Sequence, residues 1–372
     1  MKGIKNKLTA VAVLTFIVFF GAASAAGALF PDEGEDTVIP EITWDNISDG
    51  TLGRRLTEGI AERFAFRETW VSAGSRIDSG ISGNIVGGVY ISPERLIAAD
   101  VAQRPDTADC AAAVNEFAEN YDGIVYFAAV PTSAGVYGDM LPSPLDRVTE
   151  KQQTDRLYEQ LSSDIRRVDA YNLMKMLSDD RIYLRSDSKW TMYGAYCLYR
   201  TVIQKLGFQP VSFDKYTVRH VTDEYRGDLY SRTLYMKNEP DILDIYEYQD
   251  GASVTACTGF GNDGSEHECS LYDISAVGSE DMYRLYLGER LPLMKISTDV
   301  NNDRRLLLIG SECAAGFVPF LTQHYSEIAV ILPEYADRPL DSYIDPDDYE
   351  QTLFLFGIDA VKKENLNLTE TR

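Results

Sequence analysis

Apolar and polar positions divide the chain into one long hydrophobic run, a set of short ones and a more polar middle. The long run extends from Leu8 to Phe30, 23 residues without a charged side chain, behind Lys2, Lys5 and Lys7. It is long enough to cross a bilayer as a helix. It also reads as a signal peptide, with a basic start, an apolar centre and the small residues Ala23-Ser24-Ala25 at its end. Its length and the cluster Phe16, Phe19 and Phe20 favour an anchor over residues 8–30 above cleavage after Ala25. Either way positive charge stays inside, so the expected location is the cell membrane with an extracytoplasmic domain, or secretion. Pro31-Asp32-Glu33-Gly34-Glu35-Asp36 opens an acidic linker over 31–50.

From residue 51 onward the periods are those of a folded domain extending to 372. Leu56, Ile60, Phe64 and Phe66 predict an amphipathic helix within 51–78, and Val89-Tyr90-Ile91 a short strand. Helices are predicted over 108–121, 149–163, 171–178 and 191–206, the last ending near Gly207. Between them, Gly123 to Val130 is a continuous apolar run stopped by Pro131, the pattern of a strand buried on both faces. Arg167 to Ala170 is a shorter strand. Over 210–300 the helical period weakens and Tyr and Thr accumulate, which predicts a β-rich insertion. Strands return at Arg305–Gly310 and Glu327–Leu332, with helices predicted at 314–325 and 346–356. Asp345-Pro346-Asp347-Asp348 would open the last helix with negative charge at its positive end. Strand and helix alternation predicts a doubly wound α/β fold, with ligands beyond the C-terminal strand ends, after Val130 and after Ile309.

Composition narrows the chemistry. Of 372 residues, 35 are Lys or Arg and 58 are Asp or Glu, a net charge of −23, and no basic patch exists beyond the first seven residues. A nucleic-acid partner is not expected. His220, His267 and His324 share no metal-ligand spacing, so neither a metal nor a cofactor is expected. His324 reads as a helix-end residue favourable to the C-terminal dipole. Cys110, Cys197, Cys257, Cys269 and Cys313 are five, so at least one is unpaired within the chain. Cys257 and Cys269 flank a glycine-rich segment that an oxidising exterior would permit a disulfide to close. Within it Gly259-x-Gly261-x-x-Gly264 has dinucleotide spacing, but its acidic surroundings and the lack of a following helix mark a loop.

The segment Ser186-Asp187-Ser188-Lys189-Trp190 resembles the Asp-His-His-Trp signature of the DHHW family of surface-associated proteins. Other blocks resemble the family in order: Phe64-Ala65-Phe66-Arg67-Glu68-Thr69-Trp70, Gly87 to Ile91, Val130-Pro131-Thr132-Ser133-Ala134 with Tyr137, and Phe317 to Tyr325. The resemblance spans about residues 45–360. It implies an SGNH-hydrolase-like (flavodoxin-like) three-layer sandwich, similar to the AlgX and AlgJ alginate O-acetyltransferases. It further implies descent from O-acyl transfer or esterase chemistry on surface glycans, through a Ser-His-Asp triad.

Carried over residue by residue, that triad is broken. Its carboxylate remains as Asp187, but Lys189 stands at the His position and Glu312 at the Ser position. The preceding Asp becomes Ser311, the following Tyr becomes Cys313, and a downstream Asp-Leu-Arg-Tyr reads Leu332-Pro333-Glu334-Tyr335. A Ser hydroxyl needs a neighbouring base and the base a carboxylate. Where the family's His and Ser touch, Lys189 and Glu312 would form an ion pair, and nearby carboxylates keep a Lys protonated. The expectation is therefore a binding or scaffold protein with a glycan-facing cleft, lined by Trp190, Tyr137 and Tyr193. The alternative is an active esterase or acetyltransferase whose nucleophile has shifted to Ser311, with Lys189 as base and Asp187 behind it. In that case the Ser311 hydroxyl would point at Lys189.

Overall fold

The computed structural model describes residues 84–99, 107–142, 149–235 and 238–362, all within the compact unit Asp78–Arg372. The expected anchor or signal peptide (1–30), acidic linker (31–50) and helix within 51–78 lie outside the described residues. Among the described residues no helix is long and apolar enough to cross a membrane.

The elements run β1 (Ile85–Val86), β2 (Val89–Ile91), β3 (Leu96–Ala98), α1 (Ala108–Glu119), β4 (Ile124–Val130), α2 (Ser133–Tyr137), α3 (Glu150–Gln160), β5 (Arg166–Val168), α4 (Ala170–Met176) and α5 (Met192–Lys205). Then follow β6 (Thr217–Tyr225), α6 (Asp228–Thr233), β7 (Asp241–Glu247), β8 (Val254–Phe260), β9 (Glu266–Glu268), β10 (Leu293–Thr298), β11 (Arg305–Gly310), α7 (Val318–Leu321), β12 (Glu327–Ile331) and β13 (Gln351–Gly357). Helix boundaries follow local chemistry. Thr149 and Gln152 form a reciprocal capping box at the start of α3. Thr191 caps α5 through its hydroxyl, and Gly207, at φ 95°, ends it.

Eight strands form the central sheet in the order β5-β4-β13-β11-β12-β10-β8-β9. The first five are parallel and the last three antiparallel. Successive residues of a strand face opposite sides of a sheet, and β4 sorts accordingly. Tyr126, Ala128 and Val130 enter a core with α5 and the 317–321 segment, whereas Val125, Phe127 and Ala129 enter a second core with α1 and α3. Two cores on one sheet make the three-layer α/β sandwich that the sequence implied.

One expected helix is absent and another is cut short. The predicted helix at 346–356 is a 3-10 turn at Pro346–Asp348 followed by β13, which lies in the middle of the sheet between β4 and β11. All seven residues of β13 are buried. Its apolar part, Leu353 to Phe356, is too short for its period to separate a buried strand from a buried helix. Asp345 does cap the turn, accepting from the Asp347 amide. The predicted helix at 314–325 is a 3-10 turn at Glu312–Gly316 and the four-residue α7. Pro319 has no amide hydrogen and fits only a first helical turn. The 210–300 segment is β-rich, but it divides. β6 and β7 form a separate antiparallel pair, while β8, β9 and β10 extend the central sheet. Gly261 to Gly264 lie in the turn between β8 and β9, and no helix follows them.

Candidate functional site

In the register of the sheet Val130 pairs with Gly357 and Gly310 with Leu355, so β4, β13 and β11 end side by side. A cleft of about 250 Å³ opens beyond these C-terminal ends. β4 runs on to β5 on one side and β11 to β12 on the other, so the cleft stands where the strand order diverges. Its walls come from the loop after β4 (Pro131, Thr132), the turn after β11 (Ser311, Glu312, Cys313), the end of β13 (Gly357, Asp359), and the 188–190 segment with Asp228.

Each wall is fixed locally. Glu150, buried at the start of α3, accepts from the Thr132 amide at 2.8 Å and from its hydroxyl at 2.5 Å. A bridge between Tyr183 and Trp190 closes a turn whose tip carries Asp187 and Lys189. Asp187 is completely buried. It accepts from the Lys189 amide at 3.0 Å and from the Tyr225 hydroxyl. Gly227 allows this approach, because a Cβ there would lie 2.2 Å from the Asp187 Oδ2.

Lys189 Nζ is 3.5 Å from Asp187 Oδ1 and 3.9 Å from Glu312 Oε2, and lies 5.2 Å from the Tyr283 ring centroid. Burial alone would lower the Lys189 pKa, but Asp187 and Glu312 outweigh it and raise it. The ammonium is therefore kept protonated and cannot serve as a base. Burial opposes charge on Asp187, yet Lys189, a hydrogen bond from the Asp228 carboxyl and the Tyr225 hydroxyl hold it below the usual carboxylate range. Asp228 is partly exposed as a residue; desolvation of its carboxyl and the Asp187 charge push it up to about 7.

The expected Lys189–Glu312 ion pair is present, but a third member binds Glu312 more closely. Arg290 Nε and Nη2 both lie 3.1 Å from Glu312 Oε1. The Arg290 side chain is only 8% exposed, and it also donates to the carbonyls of Tyr286 at 2.9 Å and Gly288 at 3.2 Å. Asp187, Lys189, Glu312 and Arg290 thus alternate in sign. Sequence reading missed Arg290, which stands just before β10 in the β-rich segment, without a motif around it.

Ser311 does not face Lys189. Its hydroxyl accepts from the Gly357 amide at 3.0 Å and touches Cys313 Sγ at 3.3 Å. Burial pushes the Cys313 thiol up to about 12, so no thiolate forms near neutrality.

Of the three aromatic residues expected to line the cleft, only Trp190 borders it. Its ring is 2% exposed and stacked on Phe317, so it offers no face to a ligand. Tyr137 is buried under the Arg95 guanidinium, and Tyr193 packs edge-on against Phe213; neither borders the cleft. The charged lining of the cleft is instead Lys189 with four carboxylates, Asp228, Glu312, Glu334 and Asp359. His324 is not a helix-end cation. It is buried, a ring nitrogen lies 2.7 Å from the Tyr199 hydroxyl, and burial lowers its pKa to about 4. Cys257 and Cys269 face each other across β8 and β9 with their sulfurs 2.9 Å apart.

The DHHW protein family matches residues 72–331. A DHHW family protein of Eubacterium siraeum DSM 15702 superposes with a TM-score of 0.66 at 22% identity, covering 76% of this chain and 94% of that one. PatB1 of Bacillus cereus gives 0.64 at 17% identity, covering 76% and 99%, and PatB1 with a sulfonyl adduct gives 0.63 at 16%, covering 76% and 98%. The O-acetyltransferase domain of Pseudomonas putida AlgJ gives 0.48 at 15%, covering 75% and 93%. Comparison with curated proteins gives no match. With the family pattern spanning more than half its length and a matching SGNH-like α/β fold, the chain belongs to the DHHW family.

Proposed function

We propose that this protein is a non-catalytic member of its family, holding a surface glycan in the cleft where relatives transfer or hydrolyse acyl groups. The observation that carries the reading is the charge alternation Asp187, Lys189, Glu312, Arg290, whose first three members stand where the family resemblance puts a triad. A protonated Lys cannot take a proton, and a carboxylate gripped by a guanidinium is a poor nucleophile. The Ser311 hydroxyl, the alternative nucleophile, accepts from the Gly357 amide. Carboxylates on the cleft wall suit a neutral, hydroxyl-rich ligand, because each accepts from sugar hydroxyls while repelling an anion.

The test is hydrolysis of a small activated acetyl ester by the full chain, beside Ser311→Ala and Lys189→Ala. All three are expected to run at the protein-free rate, and a sulfonyl fluoride of the kind that would leave an adduct on a serine is expected to leave none. Turnover that vanishes in both variants would establish the Ser311–Lys189 alternative and end the non-catalytic reading.

The same reading places the domain outside the cytoplasm, anchored through residues 8–30 or secreted. In that oxidising setting Cys257 and Cys269 close into a disulfide across the β8–β9 pair. Thiol titration of the denatured, unreduced protein is then expected to find three of the five cysteines free. Five free thiols in protein recovered from the cell envelope would contradict the disulfide.

A further inference from the structure

Cys257 and Cys269 occupy unequal places in the central sheet. β8 lies between β10 and β9, so Cys257 has a strand on either side. It pairs with Ile296 of β10 and faces Cys269, whose amide donates to the Cys257 carbonyl at 3.1 Å. Cys269 follows β9, a three-residue edge strand whose residues are all exposed. Both cysteines are half-buried. Cys269, but not Cys257, borders a cavity of about 410 Å³ that shares no residue with the cleft. Its charged lining is Glu268, Asp273 and Glu289 with Arg284, and His267 stands beside them. The other cysteines have no such setting: Cys110 and Cys197 are buried, and burial keeps the Cys313 thiol protonated.

With their sulfurs 2.9 Å apart, one sulfur borders the cavity and the other stands behind it. Their hydrogen bond sharpens the difference. In the reduced pair it raises the Cys257 pKa, with burial acting in the same direction, so Cys257 keeps its proton and donates it. The same bond lowers the Cys269 pKa, against burial and the Glu268 charge. Thiolate is the form that attacks a disulfide, and it collects on the sulfur beside the cavity.

We propose that Cys257 and Cys269 are an exchange-active redox pair, Cys269 meeting the partner and Cys257 resolving it, with a neutral or cationic aliphatic disulfide or its thiol as the partner. In oxidation the Cys269 thiolate attacks the partner disulfide. A bond forms from Cys269 Sγ to one partner sulfur, the partner's own S–S bond breaks, and one partner thiolate leaves and takes up a proton. Cys257 then gives its proton to solvent and attacks Cys269 Sγ, which releases the second partner thiol. The pair loses two electrons and the partner gains them; reduction by two thiols retraces the steps. Three carboxylates against one guanidinium around Cys269 disfavour an anionic partner. The proposal rests on the reading that an oxidising setting closes this pair.

The test uses the full chain, reduced and desalted, with cystamine as the probe disulfide. Cystamine is expected to close the pair in the folded protein and to release two cysteamines per chain, and excess cysteamine to reopen it without unfolding. In Cys257→Ala the reaction is expected to stop at a mixed disulfide on Cys269, located by fragment mass spectrometry. Cys269→Ala, which leaves Cys257 alone, is expected to react about tenfold more slowly or less. Alkylation of Cys269 by iodoacetamide is expected to have a lower pH midpoint in the reduced parent than in Cys257→Ala, which lacks the donated hydrogen bond. Cys257→Ser provides the mixed-disulfide answer should Cys257→Ala not fold. Added salt is expected to slow cystamine, a dication, and to speed dithiodiglycolate, a dianion; the opposite signs would overturn the choice of partner. Cys257 reacting as fast as Cys269 would overturn the assignment of roles. A pair that closes but reopens only on denaturation would be a structural cystine, which would end the exchange proposal and leave the disulfide standing. A pair that never closes would end both.

Discussion

Replacing Arg290 with Ala is expected to destabilise the fold by about 2–3 kcal/mol, the range for breaking a largely buried ion pair, reduced because Glu312 keeps some contact with water. At this size the loss corresponds to a fall of about 3–5 °C in Tm. The cost arises on the partners left behind. Glu312 would lose its fork and retain only Lys189 at 3.9 Å, and three backbone carbonyls would lose donors. Arg290→Lys recovers the charge but not the two-pronged contact, so it is expected to restore less than half. A double-mutant cycle between Arg290→Ala and Glu312→Ala measures the contact itself, with an expected coupling of about 1–3 kcal/mol. Additivity within about 0.5 kcal/mol in urea unfolding would show that the guanidinium does not hold the carboxylate, and the charge alternation would lose its central link.

Much of this arrangement was legible in the chain because it rests on runs and motifs. The apolar runs at Ile124–Val130 and Arg305–Gly310 fall within one residue of where they were expected, and they set the cleft beyond Val130 and Ile309. Asp187, Lys189 and Glu312 lie together, and it was the family resemblance, not the local sequence, that implied it. What was not legible depends on tertiary placement. β13 has the composition of a buried element of either kind, and only its position between β4 and β11 makes it a strand. Tyr137 and Tyr193 are aromatic residues near the motifs, but helix geometry turns each to its own neighbours, Arg95 and Phe213. Arg290 and Glu312 are separated by two strands and the loop between them, and no local pattern records that the antiparallel extension of the sheet delivers a guanidinium to Glu312.

Restoring two residues is expected to restore chemistry. Lys189→His with Glu312→Ser would place an imidazole and a hydroxyl where the family resemblance puts a His and a Ser, with Asp187 still buried behind the imidazole. Asp187 Oδ1 lies 3.0 Å from the residue 189 amide and 3.5 Å from the Lys189 ammonium, within reach of a ring carried on the same Cα. The Asp187 carboxylate would orient that ring and support its protonated form. Arg290 would lose Glu312 but keep its carbonyl partners, leaving a fixed cation beside the new nucleophile. Acetyl-ester hydrolysis by the double variant is expected to exceed that of the parent by about 10²-fold, the lower end of what a positioned general base supplies. Either single variant is expected to remain at the parent rate, because base and nucleophile act as a unit. A folded double variant with no added rate would mean that catalysis was lost at more positions than these two, and that the cleft has been remodelled beyond its triad.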